Sequence, residues 1–332
     1  MGSVSRRVVA AAVVVGLSVA LAGCSGRGTA TSDVDQTGPW RLALADGAAK
    51  SSMASAVFLY GEEKGIFQRN GLDIHITYLT PAAAQAALLA GDVDVAYDGD
   101  ELMRAVAAAG RGKVFMTSGS LPFAIFSDQP LTVPELRGKT ISSTTPGSSF
   151  SSALTKTLRD AGLDPARDVK VVYLQTVAAQ YAALRAGNVD AVLLSPPATV
   201  KARQDGFHLV ANIADQTAPG VFAVRDDYLA AHRPAVLAFA TAMAEATRAA
   251  RADPQGLAAS FVKANADVDV ALVPSSFEEA APRWEVSPYP RDWAEAIMAA
   301  SPDAKLRSRP LADFLDDALV VEAGASTEPV AR

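Results

Sequence analysis

The apolar positions of this chain fall into two units of one design. Residues 86–96 (AALLAGDVDVA) and 182–192 (AALRAGNVDAV) each run as a small-residue helix into a glycine and then into a short apolar strand. Glycine suits the left-handed position that closes a helix. A strand apolar on both faces belongs in a buried parallel sheet. The two copies lie too far apart for a solenoid repeat, so they predict two similar lobes.

The pattern extends along the chain. It predicts strands over 41–45, 72–79, 93–97, 114–118 and 123–127, with helices over 53–67, 81–90 and 102–109. Pro81 stands in the first helical turn, where proline is favoured. A second series has strands over 139–143, 169–173, 189–194 and 208–213, a short turn over 132–136, and helices ending near Gly162 and spanning 177–186 and 196–206. A strand over 221–224 returns to the first lobe, and helices over 226–231, 234–251, 255–264, 270–280, 291–300 and 311–321 follow. Strands alternating with helices give an α/β fold with mainly parallel sheets. The expected domains are a first lobe of 40–124 and 220–322 with the C-terminal helices, a second lobe of 125–219, and a disordered tail at 323–332. Chain crossings near 122–128 and 217–221 make a hinge, and a hinge between α/β lobes makes a cleft.

Ligands of such sheets sit beyond the carboxyl ends of the strands. That rule nominates Asp46, Ser51 and Ser52 after the first strand, although a solvated loop with a serine N-cap fits equally. Asp98, Asp100 and Glu101 follow the third strand; Asp98 or Asp100 can instead cap the next helix, with Glu101 in water. Ser118 and Ser120 precede the first crossing and either reach a ligand or satisfy a turn. Thr145, Gly147, Ser148 and Ser149 open a helix, where free N–H groups and small side chains form a cup for oxygen acceptors; a plain N-cap is the alternative. Ser195 and Pro196 end the second repeated strand, where Pro196 and Pro197 stiffen the backbone. Tyr97, Phe123 and Phe150 lie near these ends, as stacking partners or as core.

The N-terminus changes the picture of where the chain works. Arg6 and Arg7 precede an apolar run over 8–20 and then Leu21-Ala-Gly-Cys24. This reads as a signal peptide over 1–23. The Leu-Ala-Gly-Cys segment resembles a bacterial lipobox, which implies a lipid on Cys24, and residues 5–7 weakly resemble a twin-arginine signal. Residues 24–39 form a Ser-, Thr- and Gly-rich flexible tether. With 1 cysteine, no internal disulfide forms.

Composition closes off other classes. The 332 residues carry a formal net charge of −6 with no long basic run, which argues against nucleic acid as a partner. Histidines 75, 208 and 232 have no metal ligand near them in sequence. No nucleophile–base pair can be argued. No cofactor, no metal and no catalytic residue is expected.

Five segments together resemble one family: 60–74 (YGEEKGIFQRNGLDI), 88–96 (LLAGDVDVA), 136–141 (LRGKTI), 193–197 (LLSPP) and 206–210 (GFHLV). They are similar to the substrate-binding proteins of nitrate, sulfonate, taurine and thiamine-precursor ABC importers, over about residues 40–265. The resemblance implies the two-lobed type II periplasmic-binding-protein fold with its ligand cleft between the lobes. It implies a monomeric, lipid-anchored, extracytoplasmic protein that captures a small organic solute by hinge closure and delivers it to an ABC permease. A ligand-sensing lipoprotein signalling to a membrane partner, or an enzyme on the same fold, are the alternatives. The acidic run 98–101 departs from an anion-binding pattern. If it faces the cleft, its charge repels a sulfonate or nitrate and suits a donor or cation.

Overall fold

The computed structural model describes residues 40–45, 53–146, 148–216, 218–265 and 268–324. The expected signal peptide (1–23) and tether (24–39), Cys24 included, lie outside these residues, as does most of the expected tail.

The described residues begin with β1 (Trp40–Ala45), α1 (Ala56–Glu63), α2 (Ile66–Arg69), β2 (Ile74–Leu79), α3 (Pro81–Ala90), β3 (Val95–Asp98), α4 (Asp100–Ala109) and β4 (Lys113–Thr117). It crosses to β5 (Ala124–Ser127), β6 (Thr140–Ser143), α5 (Ser149–Asp160), β7 (Lys170–Tyr173), α6 (Val177–Arg185), β8 (Ala191–Leu194), α7 (Ala198–Gln204) and β9 (His208–Asn212). It returns through β10 (Val221–Val224) and continues as α8 (Asp226–Ala252), α9 (Pro254–Ala264), α10 (Val273–Ala280), α11 (Arg291–Ala299), α12 (Ala304–Arg307) and α13 (Ala318–Glu322).

The strands form two five-stranded sheets, β2-β1-β3-β10-β4 and β7-β6-β8-β5-β9. Their order is the same when β1, β2, β3, β10 and β4 are matched to β6, β7, β8, β5 and β9. In the first sheet β1 runs parallel to β2 and β3, and β10 runs antiparallel to both its neighbours. In the second, β6 runs parallel to β7 and β8, and β5 is reversed. The reversed strand of each sheet is the one that follows a crossing. This is the expected α/β architecture of two lobes, each a mainly parallel sheet flanked by helices.

The two repeated segments do the same structural work in each lobe. Gly91 (φ 90) ends α3 and Gly187 (φ 69) follows α6, both left-handed as the helix-to-strand turn requires. Three residues further on, an aspartate clamps the neighbouring parallel strand of its own sheet, β1 or β6. Asp94 Oδ2 accepts the Arg41 backbone N–H at 2.9 Å, and Asp190 Oδ2 accepts that of Thr140 at 2.7 Å. The aspartate N–H groups return bonds to the carbonyls of Arg41 (2.8 Å) and Thr140 (2.9 Å).

Local chemistry explains where the elements depart from expectation. The helix expected over 53–67 breaks at Gly65 (φ 67). The helices expected over 226–231 and 234–251 form one element, bent at His232 (φ −130, ψ 31) ahead of Pro234. Residues 311–321 are not one helix. The Val114 N–H donates to the Phe314 carbonyl at 2.8 Å and the Asp316 N–H to the Val114 carbonyl at 2.9 Å. The open edge of β4 draws this segment into a bridge, because unpaired edge groups need partners.

The first lobe holds the larger core. Phe58, Phe115, Phe222, Phe239 and Phe277 are fully buried in it, and α8 to α10 supply much of its mass. In the second lobe, Ile141, Leu154, Leu158 and Leu193 cover one face of the sheet while Phe126, Val192 and Leu194 fill the other.

Candidate functional site

The carboxyl ends of the strands meet the two crossings, and a cavity of about 160 Å³ lies there. Its floor comes from β3: Tyr97 and Asp98 line it, with Ser118 and Ser120 from the end of β4. Phe123 and Phe150 form one wall, stacked at 3.9 Å between ring centres with planes 30° apart. Phe58 of α1, Met243 and Thr247 of α8 and Trp284 complete it.

Glycines let the two crossings approach each other. The Ser118 N–H donates to the Gly220 carbonyl and the Gly220 N–H to the Gly119 carbonyl, both at 3.2 Å. Gly119 has φ +81, and a Cβ there would lie 2.4 Å from the Arg283 carbonyl oxygen. A Cβ on Gly220 would lie 2.2 Å from the Tyr97 hydroxyl. Side chains at either position would push apart the hinge or the floor of the cavity.

Among the described residues, Asp98 is the only charged one lining this cavity. Its Oδ2 accepts from Gln85 Nε2 at 2.9 Å and its Oδ1 from the Gly99 N–H at 2.8 Å. It is 7% exposed. Burial raises its pKa above the usual carboxylate range, the two hydrogen bonds oppose that shift, and the Asp100 charge adds to it. Beside it the Ser118 hydroxyl donates to the Tyr97 hydroxyl at 3.1 Å. The aromatic faces around one carboxylate can hold a flat or apolar body whose donor or positive charge meets Asp98.

A second chamber of about 550 Å³ shares Leu121 and Phe150 with the first. Thr144, Gln175, Thr176, Tyr181, Ser195 and Pro196 line its second-lobe side. Met53 and Leu272 face them from the first lobe. Gln175 is left-handed at φ 59, an uncommon conformation for a residue with a side chain. Lys201 also lines the chamber, with its ammonium group bound to Asp205, which accepts from the Tyr181 hydroxyl as well. Burial, then the bond to Asp205, pushes the Tyr181 pKa up to about 12.

Ion pairs join the lobes beside these chambers. Arg203 of α7 binds Glu279 of α10 through both oxygens, at 2.8 and 3.2 Å. Arg283 Nη1 reaches Asp215 Oδ1 at 2.7 Å.

Of the residues nominated from sequence, Asp98, Ser118 and Ser120 come together in the first chamber, and Ser195 and Pro196 line the second. Thr145 is exposed and lines neither. Ser148 caps α5, its Oγ accepting the Ser151 N–H at 3.2 Å. Asp46, Ser51, Ser52 and Gly147 lie outside the described residues, as does the Ser149 side chain. Asp100 is buried and paired with Arg104 at 2.5 Å, and Glu101 lines neither chamber. Trp284, Met243, Thr247 and Leu272 were not legible as site residues. Met243 and Thr247 lie on α8, whose local pattern is that of ordinary core, while Leu272 stands in the turn before α10 and Trp284 in extended chain after the short turn Ala281–Arg283.

A family profile described as NMT1/THI5 like matches residues 52–257. No curated protein matches the sequence. Among solved structures, the chain is similar to the periplasmic aliphatic sulphonate binding protein SsuA from Escherichia coli, at 19% identity and a TM-score of 0.68 over 83% of this chain and 98% of that one. It is similar to the alkanesulfonate-binding protein SsuA from Xanthomonas axonopodis pv. citri bound to MOPS, at 24% identity and a TM-score of 0.66 over 84% and 98%. A ligand-binding component of an ABC-type import system from Staphylococcus aureus, with zinc bound, matches at 14% identity and a TM-score of 0.65 over 86% and 98%. Among the described residues, no group of three or more His, Cys, Asp or Glu is placed to hold a metal ion.

Proposed function

The chain belongs to the NMT1/THI5-like family of solute-binding proteins, and from that premise we propose that it captures a small organic solute between its lobes and delivers it to an ABC permease. The reading is of a binding protein and not of an enzyme. One observation carries it: a cavity at the strand ends, built from both lobes and from both crossings, with the buried carboxylate of Asp98 at its floor. The hinge opens and closes the cavity, and the Arg203–Glu279 and Arg283–Asp215 pairs hold the lobes together.

The preferred solute carries a hydrogen-bond donor or a positive charge on an aromatic or apolar body. The two SsuA structures are of sulfonate-binding proteins by name. Here no Lys or Arg lines the first chamber among the described residues, and Asp98 repels an anion. Export by the 1–23 signal and anchoring through lipid on Cys24 would place the protein outside the cytoplasm, as a tethered monomer.

Calorimetry with a matched pair, benzamidine and benzenesulfonate, tests the ligand class. The cation is expected to bind and the sulfonate not. Asp98→Asn is expected to weaken the cation about 10- to 100-fold, the scale of a charged hydrogen bond, while Glu101→Gln changes little. Tighter binding of the sulfonate, or equal small effects from both substitutions, overturns this ligand class. For the anchor, labelled fatty acid should enter the wild-type chain and not Cys24→Ser.

A further inference from the structure

The second chamber has the opposite polarity to the first. Among the described residues, Asp98 is the one charged side chain lining the first chamber, and Lys201 is the one lining the second. The chambers adjoin at Leu121 and Phe150, which line both. A solute lying along these two apolar side chains has a carboxylate at one end and an ammonium group at the other.

The rest of the second chamber favours an acceptor. Its wall includes the start of α6, where Thr176, Val177 and Ala178 line it. Thr176 Oγ1 accepts the Ala179 N–H at 3.1 Å. The N–H groups of Val177 and Ala178 belong to the same first turn, which has no intrahelical acceptor to offer them. Ser195, at the end of β8, lines the chamber as well. It is only 6% exposed, and its hydroxyl has no hydrogen-bond partner among the described residues. A hydroxyl so placed calls for a partner. Lys201, on α7, is paired with Asp205, but an ammonium group has more donors than that one carboxylate accepts. No described acid lines the chamber. Backbone N–H groups, a hydroxyl and an ammonium group around one space, with no acid beside them, suit an oxyanion.

We propose that the solute is two-ended, with a cation at Asp98 in the first chamber and an oxyanion held in the second by Ser195, Lys201 and the start of α6. The cationic half rests on the role proposed for Asp98 above, and the oxyanion half is additional to it. The two ends belong to different lobes, Asp98 to the first and Ser195, Lys201 and α6 to the second. A solute that fills both ties the lobes together, so its affinity is coupled to hinge closure.

The probes are benzamidine, which has the cationic end alone, and two acids that extend it, 4-(4-amidinophenyl)butanoate and 6-(4-amidinophenyl)hexanoate. Each acid is paired with its carboxamide, which separates the charge from the added hydrocarbon. Calorimetry uses the full-length chain. The better acid is expected to bind about 10- to 100-fold more tightly than benzamidine and about tenfold more tightly than its own carboxamide, the scale of a charged hydrogen bond. Ser195→Ala and Lys201→Gln are each expected to lower the ratio of acid to benzamidine affinity about threefold or more. That ratio is taken within one variant, so it reports only on folded protein that binds benzamidine, and the acid–carboxamide comparison needs no variant. If benzamidine does not bind, the role of Asp98 falls and the two-ended solute falls with it. If benzamidine binds but neither acid is tighter than its carboxamide, or neither substitution lowers the ratio, the oxyanion end is overturned and the role of Asp98 stands.

Discussion

β3 and β8 occupy the same place in their sheets and end differently. Val221 pairs with Asp98 at the end of β3, and Ala124 pairs with Leu194 at the end of β8. Each pair joins the last residue of the central strand to the first residue of the reversed strand. Leu194 is fully buried and packs with Phe126 and Val192. Asp98, nearly as buried, lines a cavity with its oxygens bound to Gln85 and Gly99. One scaffold, used twice, keeps its core in the second lobe and gives up an apolar core position in the first. A buried carboxylate costs stability unless something repays it, and under the proposed function ligand recognition is the return.

Exchanging the two ends is the severest test of that contrast. Leu194→Asp buries a carboxylate among aliphatic and aromatic side chains, and should destabilise the chain by about 4 kcal/mol or more. Urea unfolding would show this as a separate early transition or as loss of the folded state. Asp98→Leu should cost far less stability, because it removes a desolvated charge while leaving Gln85 and Gly99 without their acceptor. It should abolish solute binding. If the two substitutions destabilise equally, the lobes do not differ in the way described.

The clamp aspartates sharpen the comparison at the next scale. Asp94 has a side chain 5% exposed and holds both the Arg41 backbone and its guanidinium, at 2.5 and 3.2 Å. Asp190 is 40% exposed, and its cation, Lys139, stands 3.7 Å away. The same motif therefore works in two dielectric settings. Asp94→Ala strips a buried network and should cost about 3 kcal/mol, whereas Asp190→Ala should cost about 1 kcal/mol. Midpoints from urea titrations of the two variants, compared with the parent, give the difference directly.

This contrast also marks what the sequence could convey. The glycine-to-strand repeat announced two lobes, and α3 and β10 lie where Pro81, Gly91 and the Val221–Val224 run placed them. That Asp98, Ser118 and Ser120 would gather at one cavity was legible because they follow strand ends, where clefts of α/β folds open. The clamping role of Asp94 and Asp190 was not, since a hydrogen bond between β1 and a residue 53 positions away leaves no local pattern. Met243 on α8 was hidden for a similar reason. An apolar helix face reads as core whether it meets another helix or the wall of a cavity. The run 311–321 misled because its composition favours helix while the free edge of β4 captures its backbone.

Acidity after the central strand separates the lobes again. The first turn of α4 holds Asp100 and Glu101, and the first turn of α7 holds no acid. Burial, followed by the charges of Asp100 and Asp98, raises the Glu101 pKa to about 8. In the unfolded chain Glu101 titrates near its ordinary 4.5. The folded form therefore holds the extra proton between pH 4.5 and about 8, and stability falls as pH rises through that window. Its contribution is complete below pH 4.5 and lost above about 8. The change should be at most about 5 kcal/mol, and Glu101→Gln should flatten it. Unfolding free energies that stay level from pH 5 to pH 9 in the parent chain would refute the assignment.

The smallest contrast lies in the two capping glycines. Alanine at either must adopt a left-handed conformation, which costs roughly 1 kcal/mol. At Gly187 nothing else lies within 4 Å of the new Cβ. At Gly91 the Cβ meets the Arg225 guanidinium carbon at 3.3 Å. That guanidinium donates to the carbonyls of Leu88 and Val93, each at 3.1 Å, and so satisfies the end of α3 and the turn into β3. Displacing it should add roughly 1 kcal/mol, the worth of such bonds. Gly91→Ala should then cost about 2 kcal/mol against about 1 for Gly187→Ala. A double-mutant cycle isolates the source. In an Arg225→Ala background the bonds are already gone, so Gly91→Ala should cost no more than Gly187→Ala does. If the extra cost persists there, the guanidinium is not its origin and the two caps differ through the backbone alone.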